Sequence, residues 1–281
     1  RIQCRNCKKV WTPKKYQKEI THPQAIETVQ LFIPFQGASA VQKLYVLVSL
    51  DATRGNILHL STNYTQHQTG DSLRYSYKGN TEPTMHHRDI VQKVDMREAQ
   101  FLRRSQFDEI QYGSAVLKRN GKGAILRPVI TAHGHFRILK IRYPDVKTHI
   151  ISHECFLRGA IITAWADQFR QQQGELWFVE EEISDSNADT PWHFKGTTYH
   201  GWWQNQWQRW EQGNNCKMVC LLTGVCLERG ANVSLATSRC FITWLTDQHD
   251  FTQSALLSAG RVAQILTSLV LKYNKSLTPS C

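Results

Sequence analysis

Residues 43–65 read KLYVLVSLDATRGNILHLSTNYT, and this stretch decides the fold class. Its first part, 43–51, is apolar and β-branched and ends on a carboxylate, Asp51. Arg54-Gly55-Asn56 reads as a hairpin turn, and 56–64 alternates partly, as a returning strand does. Working outward, residues 66–92 are polar, hold Gly70, Gly79 and Pro83, and read as a long loop or insertion. Helical spacing follows over 89–107 (Ile90, Val94, Phe101, Leu102) and over 129–143, which Pro144 closes. Residues 147–152 and 175–179 read as short strands; 156–169, 202–212 and 252–272 read as helices. Strands alternating with helices define an α/β chain with a mixed sheet flanked by helices.

The 281 residues suit one large domain or two smaller ones, and 41% hydrophobic content is enough for a sizeable core. That excludes a disordered tail or a collagen-like repeat. No apolar run approaches the ~20 residues of a membrane helix, so no membrane partner is expected. No apolar segment of signal-peptide type opens the chain. Because it opens at Arg1, the chain is expected to be a fragment, a processed form or a trimmed reading frame. Eight cysteines are too sparse for a disulfide scaffold and read as reduced thiols. Of these, Cys155, Cys216, Cys220, Cys226 and Cys240 lie among apolar residues.

The formal charge is +11, which points to a polyanionic partner, most often nucleic acid. The charge is uneven. Residues 1–18 hold seven basic side chains and no acid, and residues 93–147 carry a net +7. Residues 175–189 reverse the sign, with six acids and no Lys or Arg. A basic face beside an acidic pocket suits an enzyme that grips phosphates and holds cations; a solvated loop is the plainer reading of Glu180–Glu182.

Cys4 and Cys7 form a CxxC knuckle whose two thiolates can hold one zinc ion, and a structural zinc needs four ligands. No second CxxC exists, so a complete site requires ligands upstream of Arg1. Trp203, Trp207 and Trp210 share a helix face on the helical reading of 202–212, with Glu211 at its edge. The five tryptophans from Trp192 to Trp210 read as core packing, with a stacking platform for unpaired bases as the alternative. His133 and His135 lie two apart and do not share a helix face, so they read as core-edge or phosphate-contacting residues.

In order along the chain, RIQCRNCKKVWTPKK, YVLVSLDATRGNILHLSTNYT, HIISHECFLRGAI and WWQNQWQRWEQGNNCKMVCLLTG resemble segments of bacterial insertion-sequence transposases of the DDE type. The resemblance covers the front and most of the middle of the chain. It implies an RNase H-like mixed sheet flanked by helices, preceded by a partial zinc-ribbon stub. Residues 1–20 would be the stub, 21–42 a linker, 43–250 the catalytic-type domain with an insertion, and 251–281 a C-terminal helix. It implies a DNA partner, a bacterial cytoplasmic, nucleoid-associated location, and a homo-oligomer as a further expectation.

The resemblance matches Asp51 to the first catalytic acid, Glu154 to the second and Glu211 to the third, with Glu181 and Glu182 as rivals for the last. These would hold Mg²⁺ or Mn²⁺ for strand cleavage and transfer. Cys4 and Cys7 would be half of a zinc site. Lys8, Lys9, Lys14, Lys15, Arg103, Arg104, Lys118, Arg119, Lys122 and Arg127 would neutralise DNA phosphates. One departure stands out: His153 occupies the position where the second carboxylate is expected, and imidazole suits softer ions than magnesium. Two readings follow, an active transposase and a catalytically inactive derivative that binds DNA.

Overall fold

The computed structural model describes residues 2–3, 10–11, 22–37, 41–66, 89–107, 123–185, 190–224 and 227–277. Near the start, β1 (Ile2–Gln3) pairs antiparallel with β2 (Val10–Trp11). The Cys4/Cys7 knuckle, Lys8, Lys9, Lys14 and Lys15 lie outside the described residues, as do Lys118, Arg119 and Lys122.

The centre of the molecule is one eight-stranded mixed sheet. Its strands are β3 (Ala25–Gln36), β4 (Val41–Asp51), β5 (Ile57–Thr62), β8 (Thr148–Ser152), β9 (Glu175–Glu182), β10 (His193–His200), β11 (Asn205–Gln212) and β12 (Asn215–Thr223). Two short strands, β6 (Tyr64–Thr65) and β7 (Ala124–Ile125), form a separate pair. The spatial order is β10-β11-β12-β9-β8-β3-β4-β5. Strand β4 is antiparallel to both of its neighbours, β3 and β5, whereas β8 lies parallel to β3 and β9 parallel to β8. The hairpin, the strand at 147–152 and the helices at 89–107 and 129–143 form where the sequence places them, as β4–β5, β8, α1 (Ile90–Phe107) and α2 (Pro128–Arg142).

The sheet is covered on both faces, and the period-2 alternation of strand side chains builds each side. On β4, Tyr45 and Leu47 face one core; Leu44, Val46, Val48 and Leu50 face the other. The first core packs under α1, α2 and α3 (Cys155–Ala164), through Val94, Phe136 and Leu157. A short α4 (Ala166–Arg170) follows α3, and the break at Trp165 divides the single helix expected over 156–169. The second core packs under α5 (Ala236–Thr246) and α7 (Ala259–Ser276), through Phe241, Leu266 and Tyr273, with a one-turn α6 (His249–Thr252) between them.

Two expectations are corrected. Residues 21–42 are not a linker, because they contain β3, an interior strand of the sheet between β8 and β4. Pro34 weakens the strand pattern there, and the structure accommodates it where β3 has run past β8 and only β4 pairs it, opposite Lys43. The stretch 202–212 is not a helix; its residues from Asn205 form β11. Gly213-Asn214 is a two-residue hairpin turn, with Gln212 opposite Asn215 and Gly213 at φ 56°. The three tryptophans therefore do not share a face. Trp207 is buried in the first core, and Trp210 packs against the second.

Candidate functional site

The lengths of three neighbouring strands create a crevice. Strand β8 ends at Ser152, opposite Val179, while β3 continues to Gln36 and β9 to Glu182. A gap therefore opens in the sheet beyond the carboxyl end of β8. It also lies where the connections diverge, since β3 continues to β4 on one side and β8 to β9 on the other. Ligands of open α/β sheets collect at such points. The gap holds a cavity of about 190 Å³, lined by Ser152, Glu180, Glu181, Arg97, Ser238 and Arg239 among others.

The acids at this crevice are matched to bases. Alternation sends Glu180 and Glu182 to the α1 face of β9 and Glu181 to the α5 face. Arg97 Nε lies 3.0 Å from Glu180 Oε2, and Lys93 Nζ donates to Glu182. Residues one helical turn apart on α1 thus meet residues two apart on a strand, spacings of about 6 and 7 Å. On the other face Arg239 pairs with Glu181, whose Oε1 also accepts from the Leu235 N–H at 3.1 Å. Burial pulls the Arg239 guanidinium below its ordinary range.

Glu27, the carboxylate of β3, is 2% exposed, and desolvation raises its pKa. It accepts from the Ser238 N–H and Oγ and from the Thr237 N–H, so it is committed to the first turn of α5. His153, the first residue beyond β8, folds back over the sheet, with ring centroids 4.9 Å from Phe178 and 4.6 Å from Trp207. Its Nε2 donates to Glu98 Oε1 at 3.1 Å, and Asn205 Nδ2 donates to the same oxygen at 3.3 Å. Burial lowers the His153 pKa, outweighing the nearby carboxylates.

The three acids of the sequence reading are not brought together. Glu154 caps α3, accepting from the Phe156 N–H, and also accepts from Gln30 Nε2 of β3 at 3.3 Å. It sits at the end of β8, beside the crevice. Asp51 lies level with His149 at the opposite end of β8, because both align with Ile26. Two strand spacings and the length of β8 put Asp51 on the order of 15 Å from Glu154. There Asp51 accepts from the N–H groups of Thr53 and Arg54 and closes the hairpin turn. Glu211 lies on β11 with Arg209 and Lys195 as partners. It is three strands away from β8, again on the order of 15 Å from Glu154 and about 30 Å from Asp51. Among the described residues no three His, Cys, Asp or Glu side chains form a metal-holding group.

Other candidates are more scattered. Arg127 is half-buried just ahead of α2, and Arg103 and Arg104 lie within the span of α1. His135 is a core residue, 1% exposed, held between Ser49 and Ser61; His133 is exposed. Of the thiols, Cys220 is buried and pushed up to about 12, whereas Cys240 is exposed rather than buried. Sequence reasoning did not single out Glu27, Gln30, Arg97, Glu98, Ser238 or Arg239. The signal for Arg97 was available: Lys93 and Arg97 at i, i+4 complement Glu180 and Glu182 once 180–182 is read as strand.

Among the described residues no helix is long and apolar enough to cross a membrane. Comparison with protein-family models, with curated proteins and with solved structures finds no match to this chain.

Proposed function

We propose that this chain is a DNA-binding protein on an RNase H-like sheet, a derivative of a DDE-type transposase whose acidic crevice is held by ion pairs. The strand pattern supports the RNase H-like part. Three consecutive antiparallel strands, the first joined on its free side by two parallel crossover strands, is the arrangement that the resemblance implies. On this reading the first core strand is β3, so Asp51 stands on the second.

The observation that carries the non-catalytic part is the pairing of Glu180 with Arg97 and of Glu181 with Arg239 at the carboxyl end of β8. The carboxylate of β3, Glu27, faces α5 instead. A magnesium pair needs several carboxylate oxygens on rigid elements facing one point. Here each crevice acid is already satisfied by a cation or by main-chain N–H groups, so this donor set does not fit such ions.

DNA binding is supported by the net +11 and by an exposed basic stretch on and after α2, formed by Arg137, Arg142 and Lys147. Phosphate contacts of this kind make affinity fall steeply with salt. The test is a pair of assays on the wild-type chain. Duplex DNA binding should weaken by at least tenfold between about 50 and 200 mM salt, as several phosphate contacts require. Nicking of the same DNA in Mg²⁺ or Mn²⁺ should not exceed that of a Glu154→Gln, Glu180→Gln variant. A flat salt response overturns DNA binding. Metal-dependent nicking that this double variant abolishes overturns the inactive assignment and restores the enzyme reading, with Glu154 as its acid.

A further inference from the structure

The feature that the crevice leaves unexplained is a group of aromatic side chains at the far edge of the sheet. Trp202 and Trp203, on the turn between β10 and β11, are 75% and 51% exposed. Tyr199, two residues before the turn on the edge strand β10, is 60% exposed. Trp202 and Trp203 are neighbours on one turn, and exposed apolar surface gathered in one place marks an interaction site.

The turn is held in place. The Gln204 N–H and Nε2 both donate to the Gly201 carbonyl, at 3.1 and 3.0 Å. His200, at its start, is fixed by Asp95 and Thr198 at 2.6 and 2.7 Å. Gly201 has φ 76°, and a Cβ there would meet Glu98 Oε2 at 2.3 Å. The two tryptophans are therefore presented on a rigid support, which lowers the ordering cost of binding.

We propose that Trp202 and Trp203, with the guanidinium of Arg158, form a stacking seat for unpaired bases of DNA. Arg158 lies over the Trp203 ring, 4.9 Å from its centroid. An arginine stacked on an aromatic face keeps its N–H donors at the ring's edge, where a phosphate of the stacked nucleotide would lie. Base stacking on exposed aromatics needs no particular sequence, because every base has a π-face. The net +11 of the chain fits a polyanion better than an acidic peptide or an apolar helix.

A second copy pairing along β10 is the main rival, and the strand is built against it. The β10–β11 register shifts between Phe194 and Gly196, leaving Lys195 as an extra residue in the edge strand. A bulge carrying a lysine is a common device against edge-to-edge pairing.

The inference rests on the DNA-binding reading, and the experiment separates the two. Binding is measured by fluorescence anisotropy for a blunt duplex and for the same duplex with a tail of about five unpaired nucleotides, a length typical of stacking sites. Wild type is expected to prefer the tailed duplex by about tenfold, the scale of one or two stacked bases. The double variant Trp202→Ala, Trp203→Ala should lose that preference and keep its blunt-duplex affinity. Arg158→Gln should lose part of it. Both tryptophans are exposed, so the double variant should melt at the wild-type temperature. Equal affinity of wild type for the two duplexes, or a preference surviving in the double variant, overturns the seat alone. Failure to bind either duplex overturns the DNA reading with it. A dimer in sedimentation that the double variant abolishes assigns the surface to self-association and overturns the seat.

Discussion

Glu27 of β3 accepts two hydrogen bonds from Ser238, one from its main-chain N–H and one from its Oγ, each 2.9 Å long. The contact joins the first long strand of the sheet to the first turn of α5 across most of the chain. Leu235, the residue before α5, makes no side-chain cap, so Glu27 supplies the acceptor that a capping residue would otherwise give.

Removing the hydroxyl alone should cost less than removing the carboxylate. Ser238→Ala deletes one charge-assisted bond and should lower stability by about 1–2 kcal/mol. Glu27→Ala leaves the N–H groups of Thr237 and Ser238 buried without an acceptor and should cost about 2–4 kcal/mol. Urea unfolding of the two variants measures both. Equal losses would show that Glu27 does not serve α5 beyond its bond to the hydroxyl.

The Arg97–Glu180 pair makes a prediction of a different kind. Both side chains are largely shielded at the crevice, with 23% and 13% exposure. Arg97→Met leaves Glu180 without its cation, and Glu180→Leu leaves the guanidinium facing an apolar side chain. Each single variant should lose more than the double variant Arg97→Met, Glu180→Leu, with a coupling of about 1–2 kcal/mol in the cycle. Strict additivity would mean that the pair does not hold the crevice.

Acid should destabilise the protein through its buried imidazoles. His149 is fully buried, and desolvation lowers its pKa to about 3. Neither ring nitrogen has a hydrogen-bond partner among the described residues; the ring packs 4.3 Å from Trp165. The unfolded chain takes up a proton near pH 6.5, while the folded chain does not until about pH 3. Stability from this group is therefore complete above pH 6.5 and is lost progressively as pH falls toward 3. Between pH 7 and 5.5 the loss should be about 1 kcal/mol. His149→Phe removes the proton linkage and a buried unpaired polar group, so its stability should change less over that interval than that of wild type. Urea midpoints at the two pH values decide it; an unchanged difference in the variant would show that His149 does not stay neutral.

What the sequence made legible follows from where local pattern and tertiary environment agree. In 43–62 a β-branched run, a glycine turn and a second run give the β4–β5 hairpin directly, and both strands form. For α1 and α2 the apolar spacing coincides with the buried faces through Val94 and Phe136. β3 was hidden because it serves two environments. Its first residues, between β4 and β8, carry Glu27 and Thr28, and Gln30 follows just past the end of that pairing. Each of the three is bonded to a distant side chain, and the second half of the strand contains Pro34. Those partners, Ser238, Ser49 and Glu154, are far away in sequence, so no window contains the reason for the polar residues. Residues 202–212 misled in the opposite way. Trp203, Trp207 and Trp210 have helical spacing by accident, while Gly213-Asn214 holds the true hairpin signal. At the site, the sequence marked Glu180–Glu182 and the His153-Glu154 step, but the cations that balance the glutamates come from α1 and α5. The i, i+4 spacing of Lys93 and Arg97 hints at the α1 side of that pairing, but the Arg239–Glu181 pair on the other face has no local signature.

Gly201 offers a test of how firmly the aromatic turn is built. Its φ of 76° is one that L side chains rarely adopt, and Glu98, which would meet an added Cβ, is itself hydrogen-bonded by His153 and Asn205. Gly201→Ala therefore combines backbone strain with displacement of a buried carboxylate from two donors. The expected cost is about 2–3 kcal/mol, the sum of a left-handed penalty and one disturbed charge-assisted bond. Gly201→Ala with Glu98→Ala should recover none of the backbone part, because φ is set by the turn and not by the clash. Thermal unfolding of the single and double variants measures this. Tryptophan emission reads the turn directly: a shift in Gly201→Ala that Trp202→Ala, Trp203→Ala removes would locate the disturbance at the exposed pair. A glycine that tolerates alanine without loss would mean that the turn relaxes freely and that its tryptophans are not held in one orientation.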